Sequence, residues 1–354
     1  MHLKRLALVA ATSLVAATPL FAAAQTNVQL YGILDAAISS QDTGGPEGRQ
    51  TVVNSGNQSS SRFGFRGSED LGNGLKAIFN LEAGTAIDTG AGDSALFGRR
   101  AVVGLEGAFG TVTLGREYSP IASVAAASDA FGQGFYGSNL SAFSNAFPNA
   151  SATTVNRLTR RLGNSINYKS AAFAGFKVLA AFAAGETNPT AALERGNLWG
   201  GGVEYTAGGL YLGAAYQQIK RVPADEDKET AIGGAYRFDV LGGFELKANW
   251  MKAERPNLAD YKQANIGGSF PAGANRFYVN FQQQKQGNAK GNTWALAYTY
   301  SLSKRTNLYA SYASLDNNNS GVFGITSSSV SVAPAATLLG ADPDVFSVGL
   351  RHSF

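Results

Sequence analysis

Apolar and polar residues alternate in short stretches along this chain from Gln25 to Phe354. A clear example is the stretch 294–301, whose outer-face residues would be Trp294, Leu296, Tyr298 and Tyr300. Small or polar residues occupy the alternate positions of the same stretch. A period of two predicts β-strands whose two faces meet different surroundings. Sixteen such stretches fill the chain, so we predict an all-β protein with sixteen strands.

The connections between these stretches alternate in length. Seven of them are short, at 70–74, 107–110, 171–175, 206–209, 239–243, 271–274 and 303–306. Longer polar connections separate them, notably Ser119 to Arg160 and Asp316 to Ala341. Short turns at one end and long loops at the other are typical of a transmembrane β-barrel.

Composition agrees with a barrel of this kind. The chain is 44% hydrophobic and has 43 glycines, yet no run after the first residues has the ~18 apolar positions that a spanning helix needs. A closed barrel needs an apolar outer face only. The alternative is a soluble sandwich or propeller, since local alternation would look the same. Against it are the absence of a propeller-length repeat, the aromatic residues near strand ends, and a terminal Phe within a strand.

The first residues predict a secretory signal. Lys4 and Arg5 precede an apolar run that ends at Phe21, and Ala22–Ala24 offers a small-residue cleavage site. We therefore expect a signal peptide over 1–24 and the barrel over 25–354. The alternative is a membrane-anchoring helix, for which the apolar run is short.

Charge and rare residues exclude several functions. Removal of Lys4 and Arg5 lowers the formal charge from +4 to +2, and no basic run remains, so we expect no nucleic-acid partner. The chain has no cysteine, and His352 is the only histidine after residue 24. A Ser-His-Asp site or a His/Cys metal site therefore lacks its residues, and we expect no enzyme activity, no metal and no cofactor.

Several motifs resemble those of Gram-negative general porins of the β-proteobacterial type. They cover the predicted mature chain in order, at 28–35, 61–77, 99–105, 110–116, 164–168 and 349–354. The resemblance implies a homotrimer of 16-stranded antiparallel barrels in the outer membrane, in contact with lipid and lipopolysaccharide. It implies that the third external loop, Ser119 to about Arg160, folds inward and narrows each pore. It also implies that the final Phe354 is presented to the barrel assembly machinery.

A pore of this kind sorts ions by the charges that line its narrowest part. Phe63 and Phe65 set the outward face of the second strand, so Arg62 and Arg66 should point inward. Ser165 and Asn167 should point inward, and continuing the same alternation back along the strand makes Arg161 point inward too. The resemblance also favours Arg161.

For the fourth predicted strand, the sequence does not decide which arginine points inward. Val102 and Val103 are both apolar, so parity cannot choose between Arg99 and Arg100; the motif match favours Arg99. Arg116 ends the fifth strand where the constriction loop begins.

The constriction loop adds more positive than negative charge. Its one acid, Asp129, stands against Arg157, Arg160 and Arg161. We therefore predict a channel for passive diffusion of small hydrophilic solutes and ions, with a mild anion preference. In the alternative, inward acids neutralise the arginines; the candidates are Glu69, Glu82, Glu106 and Glu117.

Aromatic residues in the same loop allow two interpretations. They are Phe131, Phe135, Tyr136, Phe143 and Phe147. They either form a slide for sugars or anchor the loop to the barrel wall, and we expect anchoring. Two other functions stay open: a substrate-selective channel, with saturable flux, and a plugged barrel that acts as an adhesin or structural protein.

Overall fold

The fold comes from a computed structural model, which describes residues 27–144, 158–185, 195–221, 226–240, 242–256 and 258–354. The predicted signal peptide, residues 1–24, lies outside the described residues, and so do Phe147 and Arg157. The described strands are β1 (Asn27–Asp42), β2 (Gln50–Ser55), β3 (Arg62–Gly72), β4 (Leu75–Ala86), β5 (Ala91–Gly92), β6 (Arg100–Gly107), β7 (Gly110–Tyr118), β8 (Arg161–Lys169), β9 (Phe176–Ala183), β10 (Arg195–Ala207), β11 (Leu210–Arg221), β12 (Glu226–Arg237), β13 (Glu245–Glu254), β14 (Tyr261–Ala272), β15 (Asn275–Gln286), β16 (Ala289–Ser301), β17 (Thr306–Asn317), β18 (Ile325–Thr326), β19 (Ser331–Val332) and β20 (Asp344–Ser353). The described helices are α1 (Pro120–Ala127) and a 3-10 helix (Asn139–Phe143).

Sixteen long strands form one closed antiparallel barrel, which confirms the predicted fold class and strand number. Neighbours along the chain pair in order, and β20 closes the barrel by pairing with both β17 and β1. The short strands β2 and β5 pair with the loop-end parts of β1 and β4, while β18 and β19 form a separate hairpin. Closure pairs the backbone groups of every long strand, as a membrane interior requires.

The two faces of the strands differ as the alternation predicts. On the outer face, Trp294 and Leu296 are each 58% exposed, whereas Ala295 between them is 2% exposed on the inner face. The outward apolar side chains suit contact with lipid. None of the described helices has the length and apolar content needed to cross a membrane.

All seven predicted turns join neighbouring strands at one end of the barrel, called here the turn end. The β3–β4 turn shows the chemistry involved. Its two residues, Asn73 and Gly74, have φ angles of 52° and 75°. Positive φ at both positions is the requirement of a tight hairpin turn, and Asn-Gly meets it best.

The connection 119–160 runs inside the barrel where it is described. The Ser119 hydroxyl accepts from the Ala122 amide and caps α1, which contacts β11 and β12. Ser128 lies against Gly233 of β12, where an added Cβ would come within 2.1 Å of its Oγ. The Asn249 amide donates to the Ser128 carbonyl at 3.0 Å. Glycine at 233 thus lets the segment after α1 lie directly on the inner wall.

Aromatic residues fix this loop to the wall. Phe131, Phe135, Tyr136 and Phe143 are all at most 7% exposed. The Phe135 ring centroid lies 5.7 Å from that of Tyr309 and 5.5 Å from that of Tyr278. The anchoring interpretation is therefore confirmed for these four residues.

Two further segments meet the loop inside the barrel. The Phe135 amide donates to the Asn57 carbonyl at 2.8 Å, and the Gly137 amide donates to the Thr326 carbonyl at 3.1 Å. The Ser60 amide donates to the Ser328 hydroxyl at 2.7 Å. The β18–β19 hairpin and residues 56–61 therefore help to enclose the lumen, which the sequence did not predict.

Candidate functional site

An arginine-lined cavity of about 470 Å³ lies between the loop 119–160 and strands β1, β3, β4 and β6. Five arginines and one carboxylate are among the described residues that line it. Its charged and aromatic lining residues are Tyr31, Arg62, Arg66, Glu82, Arg99, Arg100, Tyr118 and Arg160. We call this the arginine cavity.

β3 places Arg62 and Arg66 on the cavity side. Phe63 and Phe65 are 37% and 39% exposed on the outer face, as predicted. Arg66 Nε donates to Gln29 Oε1 at 2.9 Å, and its guanidinium lies 4.9 Å from the Tyr31 ring centroid. Arg66 is therefore held by neutral partners, and it forms no ion pair with any residue that the structure describes.

Glu82 is the carboxylate that pairs with this cluster. Its Oε1 lies 2.8 Å from Arg99 Nε, and its Oε2 lies 3.4 Å from Arg62 Nε. The Tyr31 hydroxyl also donates to Glu82 Oε2 at 3.0 Å. The neutralisation that we held as an alternative thus occurs in part, with one carboxylate shared by two arginines.

Arg99 and Arg100 both border the cavity. Val103 is 59% exposed while Val102 is 5% exposed, so β6 places Arg100 on the inner face with Val102. Arg100 forms an ion pair with Glu117 of β7. Arg99 lies just before β6, so the alternation of the strand does not fix its direction. Its side chain turns inward and pairs with Glu82. The sequence missed Arg100 because two adjacent valines hid the direction of the strand.

Arg160 and Arg161 flank the Tyr118 ring. Their guanidinium carbons lie 5.7 Å and 4.7 Å from its centroid, and Arg161 donates to the Tyr118 hydroxyl at 3.0 Å. A register shift between Gly115 and Glu117 interrupts the alternation that we extended from Ser165 to Arg161. Arg160 lines the arginine cavity, and Arg161 reaches its edge through Tyr118.

The buried Nε atoms of Arg160 and Arg161 have no hydrogen-bond partner within the described part of the chain. Burial, and then the adjacent Arg161, lower the pKa of Arg160 from its usual value. Unpaired donors of this kind suit an anion as partner.

Arg116 and Asp129 lie away from the described cavity lining. Arg116 Nε donates to the Gly98 carbonyl at 2.6 Å. The Asp129 carboxylate is fully buried within the loop, where it accepts from the Gln133 amide at 2.6 Å and the Asn139 amide at 3.1 Å. Burial raises the pKa of Asp129 to about 6. The oxygens of Asp129 are thus directed to backbone amides of its own loop.

Two carboxylates outside the predicted set hold the scaffold. Asp35 of β1 accepts from the Ser59 amide at 2.7 Å and from the Tyr309 hydroxyl at 2.6 Å, so it fixes residues 56–61. Glu229 of β12 accepts from the Thr159 amide at 2.8 Å and fixes the end of the constriction loop. An acid at an inward position of a strand was the signal that could have found both.

The residues for metal or histidine chemistry are sparse. Within the described ranges, no group of three or more His, Asp or Glu side chains could hold a metal ion. The His352 ring lies at the turn end, with Nδ1 2.8 Å from the Thr306 hydroxyl.

Comparisons with known proteins agree with this geometry. A family model described as Gram-negative porin matches residues 10–320. Outer membrane porin protein 32 of Delftia acidovorans is 32% identical, covering 94% of this chain and 95% of its own length. An outer membrane porin protein of Bordetella pertussis is 29% identical, covering 94% and 96%. The solved anion-selective porin from Comamonas acidovorans is 27% identical, with a TM-score of 0.80 over 93% of this chain and 100% of that one.

Proposed function

The chain belongs to the Gram-negative porin family, and on that premise we propose that it is an outer-membrane channel with a mild preference for anions. Small hydrophilic solutes and ions would diffuse passively through its lumen, without an energy source or bound cofactor. Flux would follow the solute gradient, and the loop 119–160 would limit solute size.

The charge of the arginine cavity carries the proposal. Five arginines line it with one carboxylate, Glu82, and Glu117 pairs with Arg100 beside it. The excess positive charge lies in a narrow lumen, where screening by water is weak, so anions are favoured over cations. That a 27% identical porin is described as anion-selective supports the same sign.

Each predicted site residue takes a role in this proposal. Arg62, Arg66 and Arg99 would attract anions at the cavity, and Arg161 would do so at its edge. Arg116 and Asp129 would shape the loop and its strand. Arg157 would add charge from the part of the loop that is not described.

The surroundings of the channel belong to the same proposal. Residues 1–24 would direct export and be removed, and 25–354 would form a homotrimer in contact with lipid and lipopolysaccharide. Phe354 would be read by the barrel assembly machinery. The proposal includes no enzyme activity.

Planar-bilayer recording of the purified, refolded protein tests the channel itself. Under a salt gradient we expect stable conductance steps in groups of three and a reversal potential directed toward anions. A cation-directed reversal potential would contradict the anion preference but would still support the channel function. Absence of steps from folded protein would contradict the channel.

Charge reversal tests the residues. Arg62→Glu and Arg161→Glu should each shift the reversal potential toward cations, because each replaces a cation at or beside the cavity with an anion. Arg62→Lys keeps the charge and serves as the matched control. Unchanged selectivity in both Glu variants would remove these residues from the mechanism.

A further inference from the structure

A second positively charged cavity, of about 400 Å³, lies at the turn end of the barrel. It is bounded by the inner faces of β15, β16, β17 and β20 and by the turns that precede β15 and β17. Its charged residues are Arg276, Lys304, Arg305 and Arg351. The described lining includes no Asp or Glu. We call it the turn-end cavity.

The cations of this cavity are held almost entirely by neutral groups. Arg351 Nε donates to the Ser59 hydroxyl at 2.9 Å, and Arg276 Nη1 donates to the Ser269 hydroxyl at 2.9 Å. Among the described residues, Arg276 has a distant carboxylate partner, Glu245 at 3.8 Å, while Lys304, Arg305 and Arg351 have none. The cavity therefore holds three cations, Lys304, Arg305 and Arg351, that form no ion pair among the described residues, besides Arg276 with its distant partner.

Other strands of the turn end carry carboxylates. Strands β3, β6 and β10 carry Glu69, Glu106 and Glu204 close to their turns. The cavity between β15 and β20 differs from these places in that its described lining has four cations and no carboxylate.

The two cavities meet at one residue. Gln58 lines both the arginine cavity and the turn-end cavity, and its Oε1 accepts from Asn307 at 2.7 Å. The two positively charged regions are therefore neighbours inside the barrel, and the turn-end cavity is the one beside the turns. Successive sites of one sign let an ion pass without a deep energy well at any of them.

We propose that the turn-end cavity is a second binding station for small multivalent oxyanions, the class that includes phosphate and dicarboxylates. This inference rests on the proposed anion-preferring channel. Two or more cations can contact one multivalent anion at once, and the neighbouring Asn307 and Tyr278 offer neutral donors. Chloride, with a single charge, gains less from such a cluster, so the station would favour multivalent over monovalent anions.

Block by inorganic phosphate tests the station. Chloride current through single channels is recorded while phosphate is added to the side that the turns face. The variant Lys304→Gln/Arg305→Gln changes exposed turn residues only, and Arg351→Gln changes the inner wall. We expect each to raise the phosphate concentration for half-block by about fivefold. Arg237→Gln, at another turn of the same end, is the matched control and should leave the block unchanged.

The outcomes separate this inference from the proposed function. An anion-selective wild-type channel whose phosphate block is absent, or is the same in all variants, overturns the station alone. A wild-type channel without conductance, or with a cation-directed reversal potential, overturns the proposed function and the station together. Weakened block in the turn and Arg351 variants, with an unchanged Arg237 variant, supports the station.

Discussion

Glu82 shows how one residue sets the balance of charge at the cavity. Its two oxygens pair with Arg99 and Arg62, and it also accepts from Tyr31. Both arginines are largely buried there, with side chains 10% and 25% exposed. A shared carboxylate fixes both guanidinium groups but offsets only one of their two charges. The remaining charge is available to attract anions.

Neutralising Glu82 should therefore strengthen anion selectivity. In Glu82→Gln, Arg62 and Arg99 keep their charges and lose the compensating carboxylate, so we expect the anion-to-cation permeability ratio to rise about twofold. Reversal potentials under a salt gradient measure the ratio. Glu69→Gln, at the turn end of β3, is the control. A ratio that falls in Glu82→Gln would show that the carboxylate acts by positioning the arginines.

Asp129 gives the constriction loop a pH dependence. Its pKa rises from about 3.8 in the unfolded chain to about 6 in the fold because the carboxyl is buried. A carboxyl with a raised pKa favours the fold when protonated. The stabilisation of the fold by the protonated Asp129 carboxyl is therefore complete below pH ~4. It declines as pH rises from ~4 to ~6, and stability does not change further through this group at higher pH.

Asp129→Asn should remove this dependence. The difference in free energy of unfolding between wild type and variant should change by about 2 kcal/mol between pH 4 and pH 6, in the direction that weakens the wild type at higher pH. Urea titration in detergent micelles, followed by tryptophan fluorescence, measures both proteins. A difference that is constant with pH would contradict a buried titrating carboxyl at this position.

At the scale of elements, the constriction loop is a packed part of the barrel interior. Phe135 lies between Tyr278 and Tyr309 of the wall, and its amide donates to Asn57. Asp35 holds the neighbouring residues 56–61, and Glu229 holds the end of the loop itself. The loop is thus fixed at several points along its described length, as a stable constriction requires.

Removing the Phe135 ring should loosen the loop. Phe135→Ala deletes a side chain that is 2% exposed, so we expect a loss of about 3 kcal/mol in the free energy of unfolding. Single-channel current should also become noisier, because the loop can then move in the lumen. Phe173→Ala is the matched control, since Phe173 is 82% exposed at a turn. Equal current noise in both variants would argue against anchoring.

At the scale of the whole molecule, closure of the barrel depends on the two ends of the chain. The Phe354 amide donates to the Gly32 carbonyl, and the Gly32 amide donates to the Phe354 carbonyl, both at 3.1 Å. The Phe354 ring covers Gly32, where an added Cβ would come within 2.3 Å of it. The last residue therefore seals the final strand to the first.

Phe354→Ala should separate assembly from channel function. The half-exposed ring contributes about 1 kcal/mol to closure, so the refolded variant should still conduct. In cells, the fraction of folded protein in the outer membrane should fall if Phe354 is also the assembly signal. Phe346→Ala, on the outer face of the same strand, is the control. Normal assembly of Phe354→Ala would contradict the signal role.

The sequence by itself determined the barrel. Alternation with a period of two, seven short turns and the outward aromatic residues led to sixteen strands with the observed inner and outer faces, because strand direction is a local property of the backbone. The inward direction of Arg62 and Arg66 followed from the same rule. The anchoring role expected of Phe131, Phe135, Tyr136 and Phe143 came instead from their aromatic character in a polar loop.

Only the tertiary structure decided the contacts inside the lumen. Asp129 turned to its own loop, Arg100 joined the cavity, and Glu82 paired with arginines 17 and 20 positions away. The sequence held no sign of the β18–β19 hairpin or of the turn-end cavity. Partners across a lumen come from distant strands and from loops without periodicity, so their meeting depends on barrel closure and on loop packing. Alternation along one strand carries no information about either.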